Sequence, residues 1–169
     1  RINLGIEGSM LMGACFGFIA TVETGSVTVC IFAGMIGGAA LSLILAYLVI
    51  YRNTNQLATG FALTLFGAGI TAYAGRSYVD STIGGLNPIS IPFLSEIPKL
   101  GSALFEQDIL AYTAYALGPL LFWGLHYTRT GLSLKAVGES ISVAYAAGRN
   151  PYVIQIAAIA IGGALAGLG

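Results

Sequence analysis

The sequence predicts an all-α protein, a polytopic bundle of transmembrane helices, and three observations lead there. Of the 169 residues, 56% are hydrophobic and only 8% are Asp, Glu, Lys or Arg, where soluble domains carry about a quarter. Five apolar runs reach or approach the roughly 20 residues a helix needs to cross a hydrocarbon core about 30 Å thick. The charges fall between those runs, with Glu7 the single exception.

The first run, 4–22, follows Arg1 and contains Glu7. No basic stretch, short apolar core and small-residue cleavage site stand at the start, so it is read as structure and not as a signal peptide. Gly13 and Gly17 within it have the four-residue spacing that lets helix backbones approach closely in lipid. The second run, 27–51, repeats that spacing at Gly34 and Gly38, and the third, 57–75, follows Asn55 and Gln56. In the connection 76–108, Pro88, Pro92 and Pro98 forbid a continuous helix. A folded loop with a short helix near 101–105 is expected there; a lid, a docking surface and a plain connection all fit it. The fourth run, 109–127, carries Pro119 after Gly118, where a kink is expected. The fifth, 153–169, holds a third glycine pair, Gly163 and Gly167. The sequence opens on Arg and stops within an apolar run, and it is read as an internal piece of a longer polypeptide.

Orientation follows from the connections. The loop 76–108 sets Arg76 and Lys99 against Asp80, Glu96, Glu106 and Asp108, while the segment 128–152 sets Arg129, Lys135 and Arg149 against Glu139. The positive-inside rule puts the second segment, with Arg1 and Arg52, in the cytoplasm and the acidic loop outside. Aromatic belts agree: Tyr47, Tyr51, Trp123, Tyr127 and Tyr152 gather at inner ends, and Tyr73, Tyr78, Tyr112 and Tyr115 at outer ones.

Within 128–152, Leu134, Val137, Ile141, Ala144 and Gly148 recur at helical spacing, with Lys135, Glu139, Ser142 and Arg149 largely on another face. Gly148 ends the pattern, and Asn150-Pro151 reads as the cap and first turn of the next span. Two roles fit such a short amphipathic helix. It lies on the inner leaflet, or it docks a cytoplasmic partner and passes that partner's movement into the bundle.

Other chemistry is sparse. Zero net charge removes any whole-molecule attraction to nucleic acid. Cys15 and Cys30 sit within apolar runs without metal-ligand spacing and read as small buried residues. No GxxxxGK[ST] loop is present, so a nucleotide would have to bind a separate subunit. His126 is the only histidine and stands beside Trp123 and Tyr127, which suits anchoring at the interface better than catalysis. The chain is therefore expected to be no enzyme.

Glu7 is costly against lipid, at roughly 2.5 to 3.5 kcal/mol near a helix centre. It is expected to face protein, water or a passing solute, either locking two helices together or accepting hydrogen bonds from substrate. Asn3, Asn55, Gln56, Thr59 and Thr64 are further candidates for a polar route, although Thr59 and Thr64 fall on different helical faces.

Three stretches resemble a known family: NLGIEG at 3–8, NQLATGFALTLFGAGIT at 55–71 and GLSLKAVGESISVAYAAG at 131–148. They are similar to the permease subunits of bacterial ABC importers for branched-chain amino acids, ribose and nucleosides, and closest to the nucleoside and simple-sugar branch. The resemblance implies a subunit of the bacterial inner membrane, missing elements at both ends, that carries nucleosides, or alternatively simple sugars such as ribose or branched-chain amino acids. It also implies three partners: an ABC ATPase that binds the ATP and Mg, an extracytoplasmic substrate-binding protein, and a second permease subunit, identical or not. The pattern GLxLxAVGE of such permeases marks the helix that couples them to the ATPase. It is matched by Gly131, Leu132, Leu134, Ala136, Val137, Gly138 and Glu139, and the resemblance extends that docking role to Ile141, Ala144 and Gly148. The usual Asn-Pro after the glutamate is Ser140-Ile141 here, and the usual Gly-Ile is Gly148-Arg149. A secondary transporter or channel is the rival of another class, and an ion relay over several spans would favour it; Glu7 alone is present.

Overall fold

The computed structural model describes residues 5–82, 89–90, 106–107, 109–146, 148 and 150–169. Seven α-helices are found among them: α1 Ile6–Thr24, α2 Val27–Ile50, α3 Gln56–Gly75, α4 Ile109–Tyr127, α5 Arg129–Glu139, α6 Ile141–Ala146 and α7 Pro151–Leu168. A 3-10 turn, Arg76–Tyr78, follows α3, and two-residue strands β1 Ile89–Ser90 and β2 Glu106–Gln107 pair antiparallel. The protein is all-α. The helix expected near 101–105 lies outside the described residues.

Two compact units make up the chain, Arg1–Ile83 with Val137–Gly169, and Gly84–Ala136. In the first unit, the ends of the helices are set by local chemistry. Gly25 takes a φ of +66° and closes α1 by donating its N–H to the Thr21 carbonyl at 2.8 Å. Asn55 caps α3, its side-chain oxygen accepting from the N–H groups of Leu57 (3.0 Å) and Ala58 (3.3 Å). Asn150 does the same for α7 through Tyr152 N at 3.1 Å, with Pro151 in the first turn, as the sequence predicts.

Contacts between these helices fix their directions. Cys15 reaches the Thr71 carbonyl (3.7 Å) and the Tyr78 hydroxyl donates to Glu23 Oε1 (2.7 Å), while Gly8 lies against Thr64 and Gly67, so α1 and α3 run parallel. Gly34 meets Gly167, Gly38 meets Gly163 and Tyr51 stacks on Tyr152, so α2 and α7 run antiparallel. All three glycine pairs in the sequence take part. A Cβ built on Gly34 would lie 2.8 Å from the Gly167 carbonyl oxygen, and one on Gly38 2.8 Å from the Gly167 Cα. Gly13 faces Gly167 more tightly still, while a Cβ on Gly17 would lie 3.3 Å from the Cys30 carbonyl oxygen and sulfur, a tight contact but the loosest of these.

Beside this glycine seam lies a cluster of buried Met12, Leu41, Leu45, Val49 and Leu63, with Ile70 and Ile159 against it. The outer surface is as apolar as the core, since Phe32, Ile36, Phe61, Leu65 and Ile161 are all exposed. A water-soluble protein does not tolerate that much exposed apolar surface. Among the described residues, four segments are long and apolar enough to cross a membrane: Ile6–Thr24, Val27–Ile50, Gln56–Tyr78 and Pro151–Leu168. The run expected as a fifth span forms the 19-residue helix α4, with Pro119 inside it.

In the second unit, the corner between α4 and α5 is closed by Thr128, whose hydroxyl bonds the Gly124 carbonyl and accepts from Gly131 N at 3.1 Å. Gly131 lies so close to the Gly124 and Leu125 carbonyls that no side chain fits there.

The seam makes a direct prediction. Gly163 faces Ser42 and Gly38, whereas a Cβ on its neighbour Gly162 would meet nothing within 4 Å. Gly163→Ala is expected to cost more than the 1–3 kcal/mol of ordinary overpacking, and Gly162→Ala to be neutral or to stabilise by up to about 1 kcal/mol through helix propensity. Fluorescence-detected size exclusion of detergent extracts should show a monodisperse peak for Gly162→Ala and its loss for Gly163→Ala.

Candidate functional site

The polar residues singled out in the sequence do not converge on one pocket. Asn3 lies outside the described residues. Asn55 spends its side-chain oxygen on the α3 cap. Thr59 donates to the Thr54 hydroxyl at 2.9 Å, and Thr64 to the Gly60 carbonyl of its own helix at 3.2 Å. Gln56 is half-buried in the first turn of α3. Nine residues separate Asn55 from Thr64, about 13 Å along a helix, so they stand at different depths.

Glu7 is different. It is exposed, and its neighbour Gly8 packs on Thr64 and Gly67 of α3. Gly67 is eleven residues from each end of the span Gln56–Tyr78, about 16 Å by helical rise. The first turn of α1 is thus level with the middle of α3, and the carboxyl group stands near mid-depth, where hydrocarbon alone would be its most costly neighbour.

Two serines that do not stand out in the sequence are paired in the interior. Ser9 and Ser42, each 1% exposed, share a hydrogen bond of 3.0 Å between α1 and α2, and Ser9 also donates to the Gly5 carbonyl at 3.2 Å. Ser42 packs on Gly163. The only sequence signal was a small hydroxyl residue in an apolar helix near a glycine pair. Such a signal is weak, because a serine of this kind bonds its own helix as readily as a neighbour.

The segment 128–152 also departs from expectation. The helical pattern from Leu134 to Gly148 is not one helix: it breaks at Ser140, whose hydroxyl bonds Ser142 at 2.9 Å, and resumes as α6. Only part of the expected apolar face is buried. Val137 and Ala144 are buried, at 3% and 2% exposure, whereas Gly138, Glu139, Ser142 and Gly148 are exposed and Ile141 is 41% exposed. In the second unit Leu134 is half-buried, with Leu132 and Lys135 exposed. Arg149 lies outside the described residues. Gly148 takes a φ of +71° and donates to the Tyr145 carbonyl at 2.9 Å, which turns the chain toward α7. His126 is exposed at the end of α4, its ring stacked 4.3 Å from that of Phe122.

Parallel and antiparallel apolar helices, glycine contacts in place of a hydrophobic drive, and an outer surface fit only for lipid define a multi-pass membrane protein. The chain belongs to the family described as the permease component of the branched-chain amino acid transport system, whose model matches residues 1–169. It is 34% identical to a putative glucose ABC transporter permease protein of Haloferax volcanii, over 98% of this chain and 52% of that protein. It is 29% identical to a nucleoside ABC transporter permease protein of Lactococcus lactis and 30% identical to a guanosine ABC transporter permease protein of Bacillus subtilis, each over 99% of this chain and 56% of the relative. The chain spans about half the length of these curated relatives. No solved structure shows significant similarity to it.

The divided segment separates two substitutions. Ala144→Asp puts a charge at a buried position and is expected to cost more than about 3 kcal/mol. Ile141→Asp, on the exposed side, should leave the folded yield within about twofold of wild type. Thermal unfolding of the purified proteins checks both.

Proposed function

We propose that the chain is a membrane-spanning permease subunit of an ATP-driven importer in the bacterial inner membrane, carrying nucleosides. The observation that carries this reading is a helical body locked by glycine contacts (α1, α2 and α7) that is joined at one end, through a stiff corner, to a short helix, α6, with an exposed face. On the cytoplasmic side Gly138, Glu139, Ile141 and Ser142 offer that face to an ATPase subunit, while Val137 and Ala144 hold the segment to the protein. The ATPase binds ATP and Mg; this chain has no nucleotide site of its own and makes or breaks no covalent bond. A second permease subunit completes the pathway, and an extracytoplasmic binding protein delivers substrate at the opposite end. ATP drives the cycle only if the ATPase contacts differ between inward- and outward-open states, since a ligand shifts an equilibrium by its differential affinity alone.

The names of the Lactococcus and Bacillus relatives support a nucleoside substrate. The Haloferax relative favours a second reading, a simple sugar. Both solutes are neutral and rich in hydroxyl groups, and Glu7 at mid-depth suits either as an acceptor for those hydroxyls. Asn55, Thr59 and Thr64 already have partners, so they play a smaller part in the pathway.

Uptake of labelled adenosine by the full-length permease with its ATPase and binding protein tests the substrate. Uptake is expected to survive excess unlabelled ribose or glucose, and to survive collapse of the ion gradients at constant ATP. Failure of an ATP-hydrolysing complex to take up adenosine would favour the sugar; loss on gradient collapse would favour a secondary transporter.

A hydrogen bond to a charged group contributes about 1.5–3 kcal/mol, so Glu7→Gln should weaken apparent substrate affinity about 10- to 100-fold without changing membrane levels. Retained affinity would reduce Glu7 to a structural role.

A further inference from the structure

Four tyrosines join α6 to the transmembrane body. Tyr145 of α6 meets the ring of Tyr152 edge-on, with centroids 6.3 Å apart and planes at 71°. Tyr152, the second residue of α7, stacks on Tyr51 at the end of α2, at 6.2 Å and 18°. Tyr51 in turn lies 5.7 Å from Tyr47. Aromatic pairs favour such edge-on and offset geometries because the ring quadrupoles oppose face-to-face alignment, and such a pair contributes attraction beyond the area it buries.

The corner around these rings is short and stiff. Gly148 closes the end of α6, Asn150 caps α7, and Pro151, fully buried, fixes the first-turn φ. Further along, α7 meets α2 at Gly38–Gly163 and Gly34–Gly167, where there is no free space for one helix to shift against the other. A displacement of α6 therefore either breaks the Tyr145–Tyr152 contact or carries α7 with it, and α7 carries α2.

From this geometry we infer that Tyr152 is a positioning residue for transport: the seam Tyr145–Tyr152–Tyr51 makes α6, α7 and α2 one moving body, so that a push on the exposed face of α6 reaches the membrane helices. The inference rests on the proposed ATPase docking at α6. It assigns the tyrosines a transmitting role beyond anchoring at the lipid interface, which any exposed aromatic would fill.

The test uses the full-length permease with its ATPase and binding protein in proteoliposomes, comparing Tyr152→Leu, Tyr152→Phe and Tyr145→Leu with wild type. Tyr152→Leu is expected to keep the ATPase bound and hydrolysing ATP while solute moved per ATP falls at least tenfold. Tyr145→Leu should fall in the same direction, and Tyr152→Phe, which keeps the ring, should restore coupling to within about twofold. Unchanged transport per ATP in Tyr152→Leu overturns the inference, and so does loss of the ATPase from that variant alone, which would make the seam part of the docking surface. An ATPase that fails to bind even the wild type overturns the proposed function instead. The seam is then judged on the full-length permease by itself, with spin labels at Ile141→Cys and Ile161→Cys in a background lacking Cys15 and Cys30. A single narrow distance distribution that broadens on Tyr152→Leu supports one moving body, and equal widths overturn it.

Discussion

The packing of α1, α2 and α7 in the first unit depends on the contact of bare helix backbone at Gly13, Gly34, Gly38, Gly163 and Gly167. In hydrocarbon, helices gain no hydrophobic free energy by associating, because lipid tails are as apolar as leucine. Attraction comes from interhelical hydrogen bonds such as Ser9–Ser42 and from dispersion at close range, which falls away within an ångström of optimal separation. Glycine permits that range, and α1, α2 and α7 meet where their glycines coincide. The buried cluster around Leu41 and Leu45 then fills the space that this approach defines, and is a consequence of the seam more than its cause.

Polar groups obey the same solvent. Among the described residues no buried side-chain nitrogen or oxygen lacks a partner. Thr21, Thr24, Thr64 and Thr71 bond carbonyls of their own helices, and Ser9 and Ser42 bond each other across the seam. Hydrocarbon offers no alternative partner, so hydroxyls are satisfied within the protein. Glu7 stands apart from this pattern, an exposed carboxyl at mid-depth on α1.

The segment from Val137 into α7 is attached to the membrane helices at one corner. One continuous amphipathic helix would set a single apolar face against the membrane and a single polar face to water. The break at Ser140 instead leaves Val137 and Ala144 turned inward with Ile141 and Glu139 outward, and the tyrosines at the corner connect the short helix α6 to the body. An exposed face and an attachment to the membrane helices are thereby combined within a dozen residues.

Much of this was legible in the sequence, because it follows from rules that act locally. Apolar runs of membrane length, the Asn150-Pro151 helix start, the Gly148 stop and the all-α class each depend on composition or on residues within one turn of one another, and lipid as solvent leaves helices as the simplest way to satisfy every backbone group. The family, too, was visible in three short motifs. Only the tertiary structure decided which helices meet and at what height. The spacing of Gly163 and Gly167 does not say that they face Gly38 and Gly34, nor does an isolated Ser9 announce Ser42, thirty-three residues away. The depth of Glu7 came from Gly8 packing at the middle of α3, not from its place in the first run. The interruption between α5 and α6 at Ser140 is likewise absent from the periodicity of the segment. Partner choice and depth are relations between segments distant in the chain, fixed by which backbones can come close enough to touch, and a periodicity read along one helix does not contain them.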